Sequence, residues 1–399
     1  MAKQESLATT ITLAIDNGSS HIKGIYDDLN NTFIFPNVVA QPFGERYFLM
    51  DQGDPLDFLD VQITSPAIQT EQYRHVYVGN LAIGDGGIVH EIIGDKAVQK
   101  KAQRQETMVT LLTAAAYAIA SKHEDDIKRG KKRIRAKVNL GTGLPIQEIA
   151  KFREEYAEKI MSGIHTVSFV TTPVFKGVTV EMEMVLPTDI SIDDVSGVYD
   201  MEASSKAHLA AKGFGIADVG GVDMDIAFFR PGLDLDQRLS TGAKIYLNNA
   251  LENIRNEVNA QGEELISSTA ELTLMLVNKE YAIYAEGKVA FDMTELVNRH
   301  MRILAEKVLK YARNAWKHAR YAGEFWFIGG GSVVLQPWIE RLNAELGLPL
   351  RFDNSDYSQF RNVRGTFFLL SHALGAGSEA AADVEEAAPP ENLDGSGKD

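Results

Sequence analysis

The feature that most constrains the fold is a pattern that occurs twice: an apolar strand, an aspartate, a short glycine-containing turn and a second apolar strand. The first copy spans residues 11–26 around Asp16, and the second spans residues 215–229 around Asp218. Apolar runs that flank a short polar turn predict a β-hairpin. One such hairpin is common, but two of them roughly 200 residues apart predict two similar halves that face one cleft.

The turn of the first hairpin carries groups that can contact phosphate. Gly18, Ser19 and Ser20 offer backbone N–H groups and hydroxyls, and Lys23 adds a positive charge. Asp16, at the end of the strand, can hold a hydrated divalent cation. An ordinary hairpin with a polar turn explains this copy equally well, so the repetition carries the argument.

Composition limits the classes of protein to which the chain can belong. The 399 residues are 45% hydrophobic and 24% charged, which suits a globular protein with two domains. The chain has no cysteine, which excludes disulfides and thiolate chemistry and fits a reducing compartment. It lacks an apolar run of roughly 18 residues and a signal-peptide pattern, so we expect a cytoplasmic protein without membrane contact. The net charge of −15 argues against broad direct binding to DNA.

Glycines form a third notable segment, Gly329-Gly330-Gly331-Ser332, after the apolar strand 324–328. Bare backbone at this place allows a flat ligand to lie against the chain, and a merely flexible turn is the alternative. Apolar residues at helical spacing, together with the residues that open and close such segments, predict helices over residues 102–121, 146–161, 195–212, 240–255, 297–315 and 336–346.

Charged segments stand out in two other places. Residues 128–137 contain seven basic residues in ten. We interpret them as a solvated loop that balances Glu124, Asp125 and Asp126, the alternative being contact with an acidic partner, another subunit or nucleic acid. Residues 378–399 have the composition of a disordered acidic tail.

These segments together resemble the nucleotide site of the actin-like ATPases. Residues 16–23 (Asp-Asn-Gly-Ser-Ser-His-Ile-Lys) resemble the first phosphate loop, residues 218–225 the second, and residues 328–332 the adenosine motif. Their order and spacing are those of the family. Within it, Gly143-Leu144-Pro145 and residues 358–365 are similar to the bacterial plasmid-segregation actins of the ParM type.

The resemblance covers residues 11–376 and implies an α/β, actin-like (ribonuclease H-like) fold of two domains. Mixed five-stranded sheets flanked by helices would surround a nucleotide cleft. The implied division is a flexible leader at 1–10, domain I at 11–212, domain II at 213–365, a C-terminal helix at 366–377 that returns to domain I, and the tail at 378–399.

The resemblance also assigns roles to individual residues. The cofactors implied are ATP, with GTP possible, and Mg²⁺, which Asp16 and Asp218 would bind. The phosphates would meet Lys23 and the two turns, and the adenosine would meet the glycine segment. The implied cofactor-binding set is Asp16, Asn17, Gly18, Ser19, Ser20, Lys23, Asp218, Gly220, Gly221, Asp223, Gly242, Gly329, Gly330, Gly331 and Ser332.

The sequence departs from the family in two places. Val222-Asp223 stand where relatives often carry a hydroxyl residue, so an alternative role for Asp223 is to act through water. The relatives' water-orienting Glu or Gln opens the helix before the second phosphate loop, but residues 189–197 contain neither. Asp194 or Asp193 is the candidate, alongside Asp218, for the catalytic set. Asp189 is the less favoured candidate. A helix N-cap is the alternative role for Asp193 or Asp194.

The implied function is an ATP-dependent filament that segregates plasmid or similar DNA. The partners would be further copies of the chain and a basic, DNA-bound adaptor protein, with DNA contacted only indirectly. ATP hydrolysis would control the lifetime of the filament. The alternatives are a sugar- or acetate-kinase-like phosphotransferase, and a nucleotide-binding scaffold for cell division or pili.

Overall fold

The computed structural model describes most of the chain. The described residues are 9–42, 53–84, 89–91, 100–204, 209–221, 223–245, 247–261, 265–266, 269–285, 287–353 and 357–385. Most of the predicted leader and residues 386–399 of the predicted tail lie outside them.

Strands in the first half are β1 (Thr9–Asn17), β2 (His21–Tyr26), β3 (Thr32–Pro36), β4 (Val38–Ala40), β5 (Leu59–Thr64), β6 (His75–Val78), β7 (Val89–Glu91), β8 (Arg133–Leu144), β9 (Ile164–Phe169), β10 (Thr179–Val185) and β11 (Ser191–Ile192). Strands in the second half are β12 (Gly213–Val219), β13 (Met224–Arg230), β14 (Asp234–Leu235), β15 (Thr241–Ala243), β16 (Ala282–Ala285), β17 (Lys288–Asp292), β18 (Ala322–Ile328) and β19 (Leu350–Phe352). The helices are α1 (Asn80–Gly84), α2 (Gln105–Lys122), α3 (Glu124–Lys128), α4 (Ile146–Ile160), α5 (Gly197–Ser204), α6 (Leu247–Asn259), α7 (Thr269–Val277), α8 (Thr294–Trp316), α9 (Gly330–Leu346) and α10 (Arg361–Glu385).

The two sheets share one core topology, which confirms the prediction of two similar halves. In domain I the core order is β3-β2-β1-β8-β10, and in domain II it is β14-β13-β12-β18-β19. In both, the first two pairings are antiparallel and the last two are parallel. The predicted hairpins are therefore β1–β2 and β12–β13, at equivalent places in the two sheets.

The first sheet is longer than this five-stranded core. Beyond β10 it continues through β9, β5, β6, β4 and β7, and these strands bring it around α2. That helix contacts β1, β2, β4, β8, β9 and β10, and nearly all of its residues from Thr107 to Ala120 are buried. Its sequence is correspondingly apolar on all sides, as expected for an interior helix.

Helices cover both faces of the strands that lead to the cleft. In β1, Leu13 and Ile15 belong to the core that includes α2, whereas Ala14 packs with Val363 and Phe367 of α10. The alternation follows from the two-residue period of a strand. In domain II, Phe214 packs with Val198 and Met201 of α5, and the opposite face packs on α6, α8 and α9. Thus α5 covers the sheet of domain II and α10 covers the sheet of domain I.

Several predicted helix boundaries are wrong. Residues 241–243 of the predicted helix 240–255 form β15, which pairs with β13, and the helix begins at Leu247. Within the predicted helix at 195–212, residues 197–204 form α5 and residues 209–211 form a 3₁₀ turn, while residues 205–208 lie outside the described part. Helix α9 begins at Gly330 rather than at residue 336, and it contains Pro337. Helix α10 begins at Arg361 and extends to Glu385, so residues 378–385 of the predicted tail are helical.

The first part of the basic run pairs with its acidic neighbours, as we predict from the sequence, but residues 133–137 lie in β8 and not in a solvated loop. Lys128 contacts Glu124 at 2.5 Å, and both Arg129 and Lys131 contact Asp126. Arg135, further along β8, pairs with Glu181. Within the described part of the chain, no helix combines the length and apolarity needed to span a membrane.

Because α2 is enclosed, a cavity in this helix should destabilise domain I. Replacing the fully buried Leu112 with alanine should lower the free energy of unfolding by about 2–5 kcal/mol, because lost burial and a residual cavity add. Leu29→Ala is the matched control, since this leucine is 39% exposed, and it should change stability by about 0.5 kcal/mol or less. Chemical denaturation measures both. Equal effects would contradict the assigned packing of α2.

Candidate functional site

The strand ends bring two aspartates to the space between the domains. Asp16 lies opposite Lys23 in the β1–β2 register, and the Lys23 Nζ is 3.2 Å from Asp16 Oδ2. Asp218 lies near the end of β12. Although burial opposes the charge of Lys23, the carboxylates of Asp16 and Asp218 raise its pKa above the usual range. Lys23 therefore lies within the field of an aspartate from each domain.

Side-chain amides hold the first turn in place. Asn37 Nδ2 donates to Gly18 O at 2.7 Å and to Asn17 Oδ1 at 3.0 Å. Asn17 Nδ2 in turn donates to Thr107 O of α2 at 3.0 Å. The Asn17 side chain is thus buried and fixes the turn, which leaves the residues after it to meet a ligand.

His21 closes this turn as a neutral side chain. Burial and the neighbouring Lys23 charge lower the pKa of His21 to about 4. Its Nδ1 lies 3.3 Å from Ser20 Oγ. The turn therefore takes its positive charge from Lys23 and not from the imidazole.

Backbone hydrogen bonds hold the second turn. The Gly220 N–H donates to Asp223 O at 2.9 Å, and the Asn248 N–H donates to Gly221 O at 2.9 Å. Burial raises the pKa of Asp223, with Lys101 opposing and Glu148 adding to the shift. Val222 lies outside the described residues. The N–H of Gly220 is thus already used inside the turn.

Asp218 is held from two sides. Asn362 Nδ2 donates to its Oδ2 at 2.5 Å. Its Oδ1 lies against Gly329, where any Cβ would overlap that oxygen and where φ is +81°. Burial raises the pKa of Asp218 to about 7, Lys23 and Asn362 oppose the rise, and Asp16 and Asp223 add to it. Burial, which penalises the charged carboxylate, is therefore the main cause of the raised pKa of Asp218.

The three glycines differ in what they face. Gly329 and Gly331 lie against the end of β12, whereas nothing lies within 4 Å of the place where a Cβ of Gly330 would stand. Ser332 is buried, and its Oγ donates to Gly329 O at 2.7 Å. Gly330 is thus the member of the segment that leaves room for a flat ligand, and Ser332 closes the first turn of α9.

Asp193 is the acidic residue before α5 that reaches the cleft. It is buried on a short 3₁₀ turn and forms an ion pair with Lys101. Burial raises the pKa of Asp193, while Lys101 opposes and Asp16 adds. Asp189 is 85% exposed and pairs with Arg153 at 3.5 Å, so it lies outside the site. The side chain of Asp194 is not among the described residues.

Gly242 lies at the cleft edge in a different setting from the one we predict. It belongs to β15 and not to a helix. A Cβ there would overlap the Gln147 side chain of α4, and Tyr311 Oη donates to Gly242 O at 3.2 Å. Domain I therefore covers this glycine, which makes it a contact between the domains.

Sequence reasoning missed residues that the fold brings to the site from a distance. Lys101 has no motif around it, and no local pattern announces its pairing with Asp193. Glu148 accepts from the Ala102 N–H at 3.4 Å and is buried beside the cleft. Asn362 lies within the segment 358–365 that we single out, but its contact with Asp218 joins residues 144 positions apart.

The charges of the cleft suit a hydrated cation and phosphates. In the part of the chain that the structure describes, no three carboxylates or histidines converge to enclose a metal ion. Mg²⁺ does not need such a cage, because it keeps several waters and takes one or two carboxylates together with phosphate oxygens. Asp16 and Asp218 fit that donor set, and a bound cation would offset the cost of burying the Asp218 carboxylate.

The pairing of Lys101 with Asp193 can be tested through stability. Lys101→Met leaves a buried carboxylate uncompensated and should cost about 3–5 kcal/mol, whereas Lys101→Met with Asp193→Leu should recover most of that loss. Lys128→Met, which breaks an exposed pair with Glu124, is the control and should cost about 1 kcal/mol or less. Chemical denaturation checks all three. A double variant as unstable as the single one would contradict the pairing.

Comparisons with known proteins agree with this architecture. Residues 14–187 match the N-terminal domain of actin-like proteins, and residues 215–348 match the Alp7A C-terminal domain. A search of the curated proteins gave no match.

Solved structures with the same fold include filament proteins. The crystal structure of the actin-like protein Alp7A is 19% identical, with a TM-score of 0.71 over 95% of this chain and 100% of that one. Bacillus thuringiensis ParM with ATP is 18% identical, with a TM-score of 0.69 over 90% and 98%. A ParM from Clostridium botulinum, in a 15-stranded filament, is 18% identical, with a TM-score of 0.65 over 91% and 99%. The chain therefore belongs to the actin-like proteins, with the N-terminal domain of that family and a C-terminal domain of the Alp7A kind.

Proposed function

We propose that this chain binds ATP with Mg²⁺ between its two domains, hydrolyses it and assembles into filaments. One observation carries the nucleotide part of the proposal. The two matched hairpins bring Asp16 and Asp218 to the same lysine, Lys23, across the cleft. B. thuringiensis ParM, which has this fold, has been solved with ATP and with ADP, and this supports the choice of ligand.

The phosphates would bind to the two turns and to Lys23. Backbone N–H groups of Gly18, Ser19 and Ser20 would face them from domain I, and Gly221 would face them from domain II. Asp16 and Asp218 would hold the hydrated Mg²⁺, which when bound neutralises phosphate charge and orients the leaving group. The adenosine would lie at Gly330, where the backbone is open. Because bare backbone does not read the edge of the base, GTP is a possible substrate as well.

Asp193 is our candidate for orienting the attacking water. Burial beside Asp16 raises its pKa, which favours a carboxyl group able to exchange a proton. Lys101 holds this carboxylate in an ion pair. Asp193 must therefore exchange Lys101 for water before it can act. Positioning and charge stabilisation would supply most of the catalysis, and slow hydrolysis is the expected consequence of this competition.

Self-assembly and DNA segregation form the second part of the proposal. ParM from C. botulinum forms a 15-stranded filament, and a like assembly of this chain would move or separate plasmid or similar DNA. The acidic body, with its net charge of −15, should not bind DNA unaided. A basic, DNA-bound adaptor would instead be attracted to the filament, and salt should weaken that contact.

Removing the domain II aspartate tests the nucleotide site. Asp218→Ala should lower Mg²⁺-dependent ATP hydrolysis at least ~10²-fold, the scale of losing one preorganised electrostatic group. The control is Asp234→Ala, an exposed aspartate of the same domain, which should hydrolyse ATP at the wild-type rate. Phosphate release measures activity, and circular dichroism checks the fold. Wild-type turnover in Asp218→Ala would refute the role.

Light scattering after addition of Mg-ATP, followed by sedimentation, tests assembly. We expect polymer with ATP and a slow loss of it as ATP is consumed, because hydrolysis removes the ligand state that favours assembly. A protein that stays monomeric with every nucleotide and salt concentration would end the filament proposal. Phosphate transfer that requires an added sugar or acetate would instead identify a kinase, and polymer without any hydrolysis would identify a scaffold.

A further inference from the structure

We propose that Asn362 is a positioning residue that sets the Asp218 carboxylate for a divalent cation and connects it to the crossing of α5 and α10. The proposal rests on the nucleotide site proposed above and adds a structural link between that site and the connection of the domains.

The Asn362 side chain uses both ends of its amide. Its Nδ2 donates to Asp218 Oδ2 at 2.5 Å, and its Oδ1 accepts from the Gly197 N–H, at the start of α5, at 3.1 Å. Its backbone carbonyl accepts from Ser196 Oγ at 2.8 Å. One residue of α10 therefore contacts the cation-site aspartate of domain II and the first turn of α5 at the same time.

This pair of contacts specifies the side chain. An aspartate in its place could accept from Gly197 but could not donate to Asp218, and an apolar residue could do neither. A glutamine would carry the same amide one methylene further out. Among short side chains, an amide that donates at one end and accepts at the other is therefore what the site requires.

Helices α5 and α10 cross too closely to slide past each other. A Cβ at Gly365 would overlap Ser196 O, and a Cβ at Gly197 would lie 2.9 Å from Asn362 Oδ1. Since α5 packs on the sheet of domain II and α10 on that of domain I, this crossing joins the two domains. A shift of Asp218 would thus be passed by Asn362 to the crossing that joins the domains.

Ionic contacts anchor the backbone of Asn362 on both sides. Arg361 Nε donates to Asp353 Oδ2 at 2.7 Å, and the same guanidinium contacts Asp200 of α5. Arg364 Nε donates to Asp200 Oδ2 at 3.0 Å. The amide of Asn362 is therefore presented from a fixed frame. Gly329 packs against the other carboxylate oxygen of Asp218. The hydrogen bond from Asn362 therefore fixes the orientation of that carboxylate.

The test compares ADP affinity with Mg²⁺ and with EDTA, so it needs no turnover. In wild type, Mg²⁺ should strengthen ADP binding. In Asn362→Ala that strengthening should fall by about tenfold, the scale of one hydrogen bond to a charged group, while the affinity in EDTA should stay near wild type. Isothermal titration or displacement of a fluorescent ADP gives all four values.

Thr366→Val is the matched control at the same crossing. Thr366 Oγ1 donates to Ser196 Oγ at 3.2 Å, so its hydroxyl supports the crossing from α10. This variant should loosen the crossing but keep the wild-type effect of Mg²⁺. If both variants lose the effect equally, or if Asn362→Ala keeps it, the positioning role is wrong.

A measurement on the unaltered chain guards against variants that fail to fold. Hydrogen exchange should be slower in residues 197–204 and 361–375 with Mg-ADP than with ADP in EDTA, because the cation at Asp218 stabilises the crossing. Equal exchange would overturn the link. If wild type binds neither form of ADP, the nucleotide site itself is wrong, and this outcome differs from one in which wild type binds ADP and Asn362→Ala keeps the Mg²⁺ effect.

Discussion

Carboxylates outnumber cationic side chains in the cleft, and the surrounding structure compensates for this excess of negative charge. Asp16, Asp193 and Asp218 share the fields of Lys23 and Lys101, and burial raises the pKa of Asp218 to about 7. A charge taken out of water is tolerated only with a partner or a hydrogen bond. The two lysines and the amide of Asn362 therefore compensate part of this negative charge. A bound cation with its polyphosphate would compensate the rest, and the open space at Gly330 leaves room for the nucleotide.

The repeated sheet core makes this concentration of charge possible. Each central strand, β1 or β12, is covered on both faces by helices, so only its end can present a polar group. Two sheets of the same topology then aim two such ends at one space. The connection between them passes through α5 and α10, each of which packs on a different sheet. The site and the crossing of α5 and α10 are consequently neighbours.

Local sequence patterns predicted the structural features that depend on residues close together in the chain. The hairpins around Asp16 and Asp218 follow from strand and turn chemistry and are found where we predict them, whereas the glycine segment opens α9 instead of preceding the helix. The missed features depend on distant partners. Residues 241–243 become a strand because β13 offers an edge, and Lys101 matters because Asp193, 92 positions away, is buried beside it. Asp189, the less favoured candidate in sequence, is exposed, whereas Asp193 is buried.

The position of α2 has a consequence for how domain I unfolds. Strands on several sides surround this helix, so its amides cannot meet solvent through fraying or a local opening. They should exchange only when the sheet itself separates, which makes α2 a reporter of global opening. Strands β4 and β9 contact it although they lie outside the shared sheet core, so we expect them to form one cooperative unit with the helix. Domain I should therefore unfold as a single body around this helix, while domain II, which has no counterpart to that enclosure among the described residues, keeps a separate stability.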